Sequence, residues 1–319
     1  MLGCAMQMEV VWRVLKKPVG PLMGFICQFL AMPLVSFGIS QLLLTPRGMF
    51  AIGLGLFAAG TSPGGGASNV WALLLNGNVE LSITMTFICT LAAFGMIPLW
   101  MALIAGSYLR KIDETVEIAV PYRNIFTSLI SLLVPLLIGL GIRRFWMKGA
   151  EWAIKILRPF SGLVLLYIVT FGVYTNLYMF YFMTWPVLLS GSLLPWCGYG
   201  IGAFLAWISR QSQPDITSVA IESGVQNAGI AILLLKISFP HPDGDISSVT
   251  PVVVSMFTPL PLLTAYAVQR LLKWRNSRRR EARPLLENGK EKEVVKTQEQ
   301  DRYGGVDADD SATSNCDRI

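Results

Sequence analysis

Apolar residues run in long blocks, separated by short charged stretches, from the start of the chain to about residue 272. One partial and eight full blocks can be counted, at approximately 1–14, 19–43, 48–75, 79–106, 122–145, 154–178, 184–208, 216–239 and 248–272. About 20 apolar residues are needed for a helix to cross the hydrocarbon core of a bilayer, so each full block predicts a membrane-spanning helix. The first block, in "MLGCAMQMEVVWRVLKK", is too short and reads as the last half of a longer helix, which predicts a truncated start. Its bases follow the apolar part, the reverse of a cleaved signal peptide.

Two blocks are interrupted at their centres. The third contains "AAGTSPGGGASNVWALLL", with Pro63, Gly64, Gly65 and Gly66 in mid-span and Ser68 and Asn69 directly after. The eighth, "DITSVAIESGVQNAGIAILLLK", places Glu222 beside Ser223 and Gly224, followed by Gln226, Asn227 and Gly229. Five crossings separate the two, so they run through the membrane in opposite directions. Corresponding breaks in opposed segments are the expected mark of an inverted-topology repeat, with the site where two discontinuous helices meet near the midplane. Freed backbone is tolerated at that depth only where it lines a cavity or meets protein or ions.

Composition supports the membrane reading. The chain has 319 residues, 53% apolar and 14% charged, against about 25% charged for a soluble domain. Residues 72–105 carry one charged side chain, Glu80. The loops alternate in charge. Arg13, Lys16 and Lys17 follow the first block; Arg143, Arg144, Lys148, Lys155 and Arg158 against Glu151 follow the fifth; Arg210 follows the seventh; Lys273, Arg275, Arg278, Arg279 and Arg280 follow the ninth. The opposite loops are weaker: "RKIDETVEIAVPYR" balances its bases with Asp113, Glu114 and Glu117, and "PHPDGD" has only acids. The positive-inside rule then predicts an external N-terminus and a cytoplasmic C-terminus. The basic excess is juxtamembrane, suited to anionic lipid heads and not a sign of nucleic-acid binding. Residues 276–319 lack apolar periodicity and predict a disordered cytoplasmic tail. Within it "EARPLL", Glu281 to Leu286, resembles an acidic dileucine sorting signal that a sorting adaptor would read.

The candidate chemistry is oxygen chemistry. An ionised carboxylate at mid-membrane costs about 2.5–3.5 kcal/mol on the insertion scale, and no Lys or Arg lies near Glu222 in sequence, so a bound cation is its natural partner. Ser82 and Thr86 stand four apart on one helix face, Glu222 and Gln226 share that spacing, and Gln28 sits within apolar "ICQFLAMPL". Hard cations such as Na⁺ prefer such donors to the thiolates and imidazoles of soft-metal sites. Spacing does not separate Na⁺ from H⁺ coupling, though the abundance of neutral oxygen donors favours an ion. The five Cys are scattered and predict no disulfide framework or zinc site; the single His241 reads as a solvated loop residue. No His/Asp/Ser constellation suggests an enzyme, and no cofactor is expected.

The run "SPGGGASNVWALLLNGNVELSITMTFICTLAAFGMIPLW", with "LGC-M", "QFLAMPL" and "ESGVQNAGIA" in order, resembles the signature of the bile acid:sodium symporter family, solute carrier family ten, over about residues 1–272. The resemblance implies an all-α polytopic transporter of 1–275, divided into a core (about 19–106 and 184–272) and a panel (about 1–14 and 122–178). It implies one sodium site from Ser68, Asn69, Ser82, Thr86 and Glu222. A second would use Gln28, Glu222 and Gln226 with the carbonyls of Ser223 and Val225. An amphipathic organic anion, a bile salt, steroid sulfate or similar, would lie between core and panel, its charged group near Gly66, Ala67 and Asn227. The function implied is sodium-coupled symport by alternating access, with two Na⁺, in a multi-pass protein of the plasma membrane. Proton coupling through Glu222 and a non-transporting receptor that keeps the fold are the alternatives.

Overall fold

Uninterrupted apolar sequence becomes long helix, and the two interrupted blocks become pairs of half-helices. The structure, a computed structural model, describes residues 8–112, 122–167, 174, 177, 179–239 and 241–275. Residues 1–7, the acids Asp113, Glu114 and Glu117, and the tail with Glu281 to Leu286 lie outside the described residues.

In chain order the principal helices are α1 (Met8–Leu15), α2 (Val19–Ile26 and Met32–Leu43, joined by a π turn at Cys27–Ala31), α3 (Phe50–Thr61), α4 (Ser68–Leu74) and α5 (Val79–Trp100). They continue with α6 (Tyr122–Phe145), α7 (Met147–Tyr167), α8 (Trp185–Ile208), α9 (Gln213–Gly224), α10 (Ala228–Ser238) and α11 (Asp243–Phe257). Among the described residues four helices are long and apolar enough to cross a membrane by themselves: Val19–Arg47, Val79–Arg110, Trp185–Ile208 and Asp243–Arg275. By contrast α3 and α10 have 12 and 11 residues, and at 1.5 Å per residue each spans about half of a bilayer core. Many large apolar side chains point outward, Leu42, Leu73 and Leu103 among them, each at least 66% exposed. Long helices apolar on their outer faces are stable against lipid, and the protein is an all-α, multi-pass membrane protein.

The chain divides into two compact units, Met1–Leu263 and Thr264–Ile319. In the second, the described residues are helical through Arg275, and Arg270 donates from Nε to the Tyr266 hydroxyl at 2.9 Å. In the first, one apolar core is built from α2, α3, α5, α8, α10 and α11, with Phe29, Leu56, Phe57, Ile97, Leu194, Leu234 and Val253 buried in it. A smaller cluster, Leu81, Met85, Ala206 and Val219, receives Val14 from α1. Helices α6 and α7 pack on each other and reach the rest through α5 and α10.

One expected boundary differs. The predicted loop between the fifth and sixth blocks shrinks to Trp146, and α7 begins at Met147 instead of 154. "MKGAEWAIKIL" is rich in good helix formers, and Glu151 and Lys155 have the favourable i, i+4 order. A helix does not stop where it leaves hydrocarbon, so Lys148, Lys155 and Arg158 are helical residues.

Candidate functional site

The two breaks meet. After α3 the backbone turns extended at Ser62 (φ −68°, ψ 151°), and after α9 at Val225 (φ −84°, ψ 93°). Gly64 and Gln226 form an isolated antiparallel bridge. Gly65 donates its N–H to the Val225 carbonyl at 2.7 Å, and Asn227 donates to the Pro63 carbonyl at 3.0 Å. Each break thus satisfies backbone groups that the other would leave bare in a low-dielectric interior. A methyl at Gly64 would overlap Oε1 of Glu222, so a larger residue there would push the carboxylate aside.

Around the crossing the side-chain oxygens converge. Glu222 is 1% exposed. Thr86 donates to its Oε1 at 2.8 Å, and Ser82 reaches Oε2 at 3.4 Å. Ser82 has a shorter option, donating to Asn69 Oδ1 at 2.9 Å. A hydroxyl has one proton, so Oε2 is left with the weaker contact. Ser68 Oγ stands 3.4 Å from Thr86 Oγ1, and Asn69 Oδ1 3.5 Å. The five residues of the first expected site therefore form one network, drawn from the start of α4, one face of α5 and the end of α9. Among the described residues no Lys, Arg or His lies within ion-pair distance of Glu222; the ion pairs there are Arg13–Glu80, Lys236–Asp245 and His241–Asp245.

The second expected set gathers around Gln28 and Gln226. Gln28 donates from Nε2 to Gln226 Oε1 at 2.8 Å and to the Ser62 carbonyl. Gln226 donates in turn to the Ser223 carbonyl at 2.7 Å. Two acceptors around Gln28 Nε2 fix which way its amide points. Its Oε1 is then buried with no hydrogen-bond partner, an arrangement that costs about 1–3 kcal/mol unless a cation or water meets the oxygen. The Val225 carbonyl, which already accepts the Gly65 amide, keeps a second lone pair. An oxygen-rich cluster, buried apart from half-exposed Asn69, with one anionic group and one orphaned carbonyl oxygen can hold hard monovalent cations.

The expected substrate residues are spread wider. Gly66 and Ala67 are exposed, and a methyl at Gly66 would meet open space. The bridge register sets Asn227 opposite Pro63, where its side chain accepts from the Ile230 amide at 3.2 Å and caps α10. Sequence reasoning left other contributors unnamed. Asn78 caps α5 by accepting from Leu81 N at 3.1 Å, and donates to Asp215 Oδ1 at 2.7 Å; its backbone takes Ser218 Oγ at 2.8 Å and reaches Pro214 O at 3.0 Å. That clasp ties the helix of Ser82 and Thr86 to the helix of Glu222. Gly198 and Gly202 let α8 lie against the second break, since a methyl at Gly198 would stand 2.6 Å from the Ser223 carbonyl and one at Gly202 2.7 Å from Ser223 Oγ. Their four-residue spacing in "CGYGIGAF" is the small-xxx-small signal that could have revealed them. His241 is largely exposed and bonds Asp245 Oδ2 at 2.6 Å, while Lys236 pairs with Oδ1 at 3.0 Å.

A multi-pass helical protein whose two broken helices cross over a buried carboxylate has the form of a membrane transporter. Comparison with known proteins gives the family. Residues 1–183 match the model of the Sodium Bile acid symporter family. The chain is 34% identical over 254 residues to the P3 protein of Mus musculus, covering 80% of this chain and 52% of that one. It is 30% identical over 259 residues to the ileal sodium/bile acid cotransporter of Cricetulus griseus (80% and 71%), and 31% identical over 245 residues to the sodium-dependent organic anion transporter of Rattus norvegicus (74% and 62%). The chain belongs to the sodium bile acid symporter family, a family of transporters and not of enzymes. It spans about half the length of the P3 proteins it matches.

Proposed function

We propose that this protein is a sodium-coupled symporter of amphipathic organic anions that works by alternating access. The observation that carries the reading is Glu222, buried and, among the described residues, without a cationic side chain beside it, facing Thr86, Ser82 and Asn69 at the meeting of the two breaks. Relatives named for sodium with bile acids or organic anions supply the ion and the substrate class. One Na⁺ takes oxygens of Ser68, Asn69, Ser82, Thr86 and Glu222. A second takes Glu222, Gln28, Gln226 and the carbonyls of Ser223 and Val225. The two ions neutralise Glu222 and brace a junction that two backbone hydrogen bonds and the Gln28 bridge also join. The organic anion then lies between the core (19–106 and 184–272) and the panel (1–14 and 122–178), its charged group by Gly66 and Ala67 with Asn227 on the neighbouring half-helix. Rocking of core against panel exposes the site alternately, in an inverted-repeat arrangement with the N-terminus outside and the basic C-terminus in the cytoplasm of a plasma-membrane protein.

Two ions suffice energetically. A tenfold Na⁺ gradient supplies about 1.4 kcal/mol per ion, and about 100 mV adds about 2.3 kcal/mol per charge. Returning one charge with a monoanion leaves about 5 kcal/mol, an accumulation of several thousandfold. A single Na⁺ moved with a monoanion is electroneutral and gives about tenfold.

The test is uptake of a labelled panel of bile salts, steroid sulfates and small carboxylates, with Na⁺ or choline outside. Uptake of at least one amphipathic anion that disappears in choline is expected. Uptake equal in choline, or driven there by an inward proton gradient, would sink the sodium assignment.

A further inference from the structure

The second cation site depends on a helix defect, and the defect has a keeper. Gln28 lies in the π turn Cys27–Ala31, where the Met32 amide reaches back five residues to the Cys27 carbonyl. The sequence explains the wide turn. In an ordinary helix the Phe29 carbonyl would take the N–H four residues on, and that residue is Pro33. Proline has no N–H, and its ring clashes with the carbonyl four residues before it. One wide turn relieves the clash but leaves the Phe29 carbonyl without its α-helical donor, in a residue only 1% exposed. Trp100, at the end of α5, fills the gap: its indole Nε1–H donates to the Phe29 carbonyl at 2.8 Å. Indole N–H is a donor only, so the contact has one possible sense. A second π turn, Met101–Ala105, begins directly after Trp100.

We infer that Trp100 is a positioning residue for the second sodium site, acting through the Phe29 carbonyl to stabilise the π turn that Pro33 imposes and that aims Gln28 at Ser62, Gln226 and the ion. π turns inside α-helices recur at functional sites because the extra residue redirects a side chain. Here the redirected side chain is Gln28, whose Oε1 is a buried oxygen without a protein partner beside the crossed breaks. Trp100 touches neither the ion nor Glu222; its effect falls on Gln28. The inference rests on the proposed assignment of Gln28 to an ion, and the experiment separates the two.

The measurement is equilibrium binding of ²²Na⁺ to the purified full chain, with choline chloride holding ionic strength. Gln28→Ala serves as reference and must weaken one of two bound ions. Trp100→Phe keeps an aromatic ring but removes the N–H. Losing one neutral hydrogen bond shifts an equilibrium by about fivefold, so it should weaken the same single ion by about that factor. Added to Gln28→Ala it should have no further effect. Pro33→Ala offers a route that leaves Trp100 intact. It returns an amide to the Phe29 carbonyl, lets the turn close to α geometry, and should weaken the same ion. Wild-type binding of both ions by Trp100→Phe or Pro33→Ala, with Gln28→Ala impaired, overturns the positioning role alone. Unimpaired binding by Gln28→Ala overturns the ion assignment and the inference with it. General weakening of both ions by Trp100→Phe in the Gln28→Ala background shows a merely structural role and also overturns it.

Discussion

Glu222→Gln separates charge from shape. The carboxylate is 1% exposed, and its one short hydrogen bond is from Thr86 at 2.8 Å. A glutamine amide fills the same volume and can still accept that bond from its carbonyl oxygen. What it removes is the one negative charge among the expected ligands of both sites. For a unit pair about 4 Å apart at an effective dielectric of about 20, the attraction is about 4 kcal/mol, or about a thousandfold in affinity for each ion. At ordinary external sodium both sites should empty, and sodium-dependent uptake should fall to background with surface expression retained. The ion-free protein should respond in the opposite direction. A buried carboxylate without a counter-charge destabilises the fold by several kcal/mol after relaxation, so in choline Glu222→Gln should melt no lower than wild type. Wild-type melting should rise with added NaCl by ligand linkage, about 2.7 kcal/mol at a hundred times the dissociation constant, while the Glu222→Gln curve stays flat. Two results refute the reasoning: wild-type sodium dependence in the variant, or an ion-free melting point well below wild type. The second would mean that the carboxylate is a structural hydrogen-bond acceptor and not an ion ligand.

Other expectations follow from the same geometry. Gly64→Ala puts a methyl on Glu222 Oε1, at a backbone bridged to Gln226; overpacking of about 1–3 kcal/mol should weaken sodium by about five- to 150-fold, read by sodium titration of uptake. Gln28→Ala and Gln226→Ala should each lower the sodium Hill coefficient of uptake towards one, and an unchanged coefficient in both would count against a second ion. Asn78→Ala removes a helix cap and the bond to Asp215, and should cost about 1–2 kcal/mol of stability in a melt. For orientation, His241→Cys should react with an impermeant maleimide on intact cells and Arg210→Cys should not; the reverse pattern would invert the topology.

How far the sequence could be read depended on the range of the forces involved. Blocks 19–43, 122–145 and 184–208 were legible because burial in lipid asks only for a continuous apolar run, and the helices at Val19–Leu43 and Trp185–Ile208 follow those blocks closely. The breaks were legible because Pro63, Gly64 and Gly224 act locally on the backbone. Their pairing register was not, since Gly65–Val225 and Asn227–Pro63 are hydrogen bonds between segments about 160 residues apart. The same limit hid the Asn78 clasp to Pro214, Asp215 and Ser218. Helix α7 was misplaced for another reason: hydropathy marks where lipid begins, whereas the backbone continues its hydrogen bonding past that point. The π turn in α2 lay between these cases, because Pro33 announces an unbonded Phe29 carbonyl while nothing near it in sequence names Trp100 as the donor.

The crossing also explains why ion and fold would be coupled instead of the ion merely resting in a finished pocket. Two backbone bonds join the breaks, at 2.7 and 3.0 Å, and Gln28 bridges the Ser62 carbonyl and Gln226 beside them; each net hydrogen bond contributes only about 1 kcal/mol. Against them stands a buried charge whose desolvation, of several kcal/mol, opposes the closed arrangement. Without a counter-charge the junction is therefore weakened. With one, the carboxylate draws α4, α5 and α9 onto a common centre through Ser68, Asn69, Ser82 and Thr86. Occupancy then shifts the half-helices between loose and braced states by its differential affinity for the braced one. The exposed Gly66 and Ala67, just before α4, belong to the segment that this bracing would order. If the anion binds there, its site would form only after the ions are in place, which predicts that sodium lowers the equilibrium Kd for the anion and, by reciprocity, that the anion lowers the Kd for sodium by the same factor.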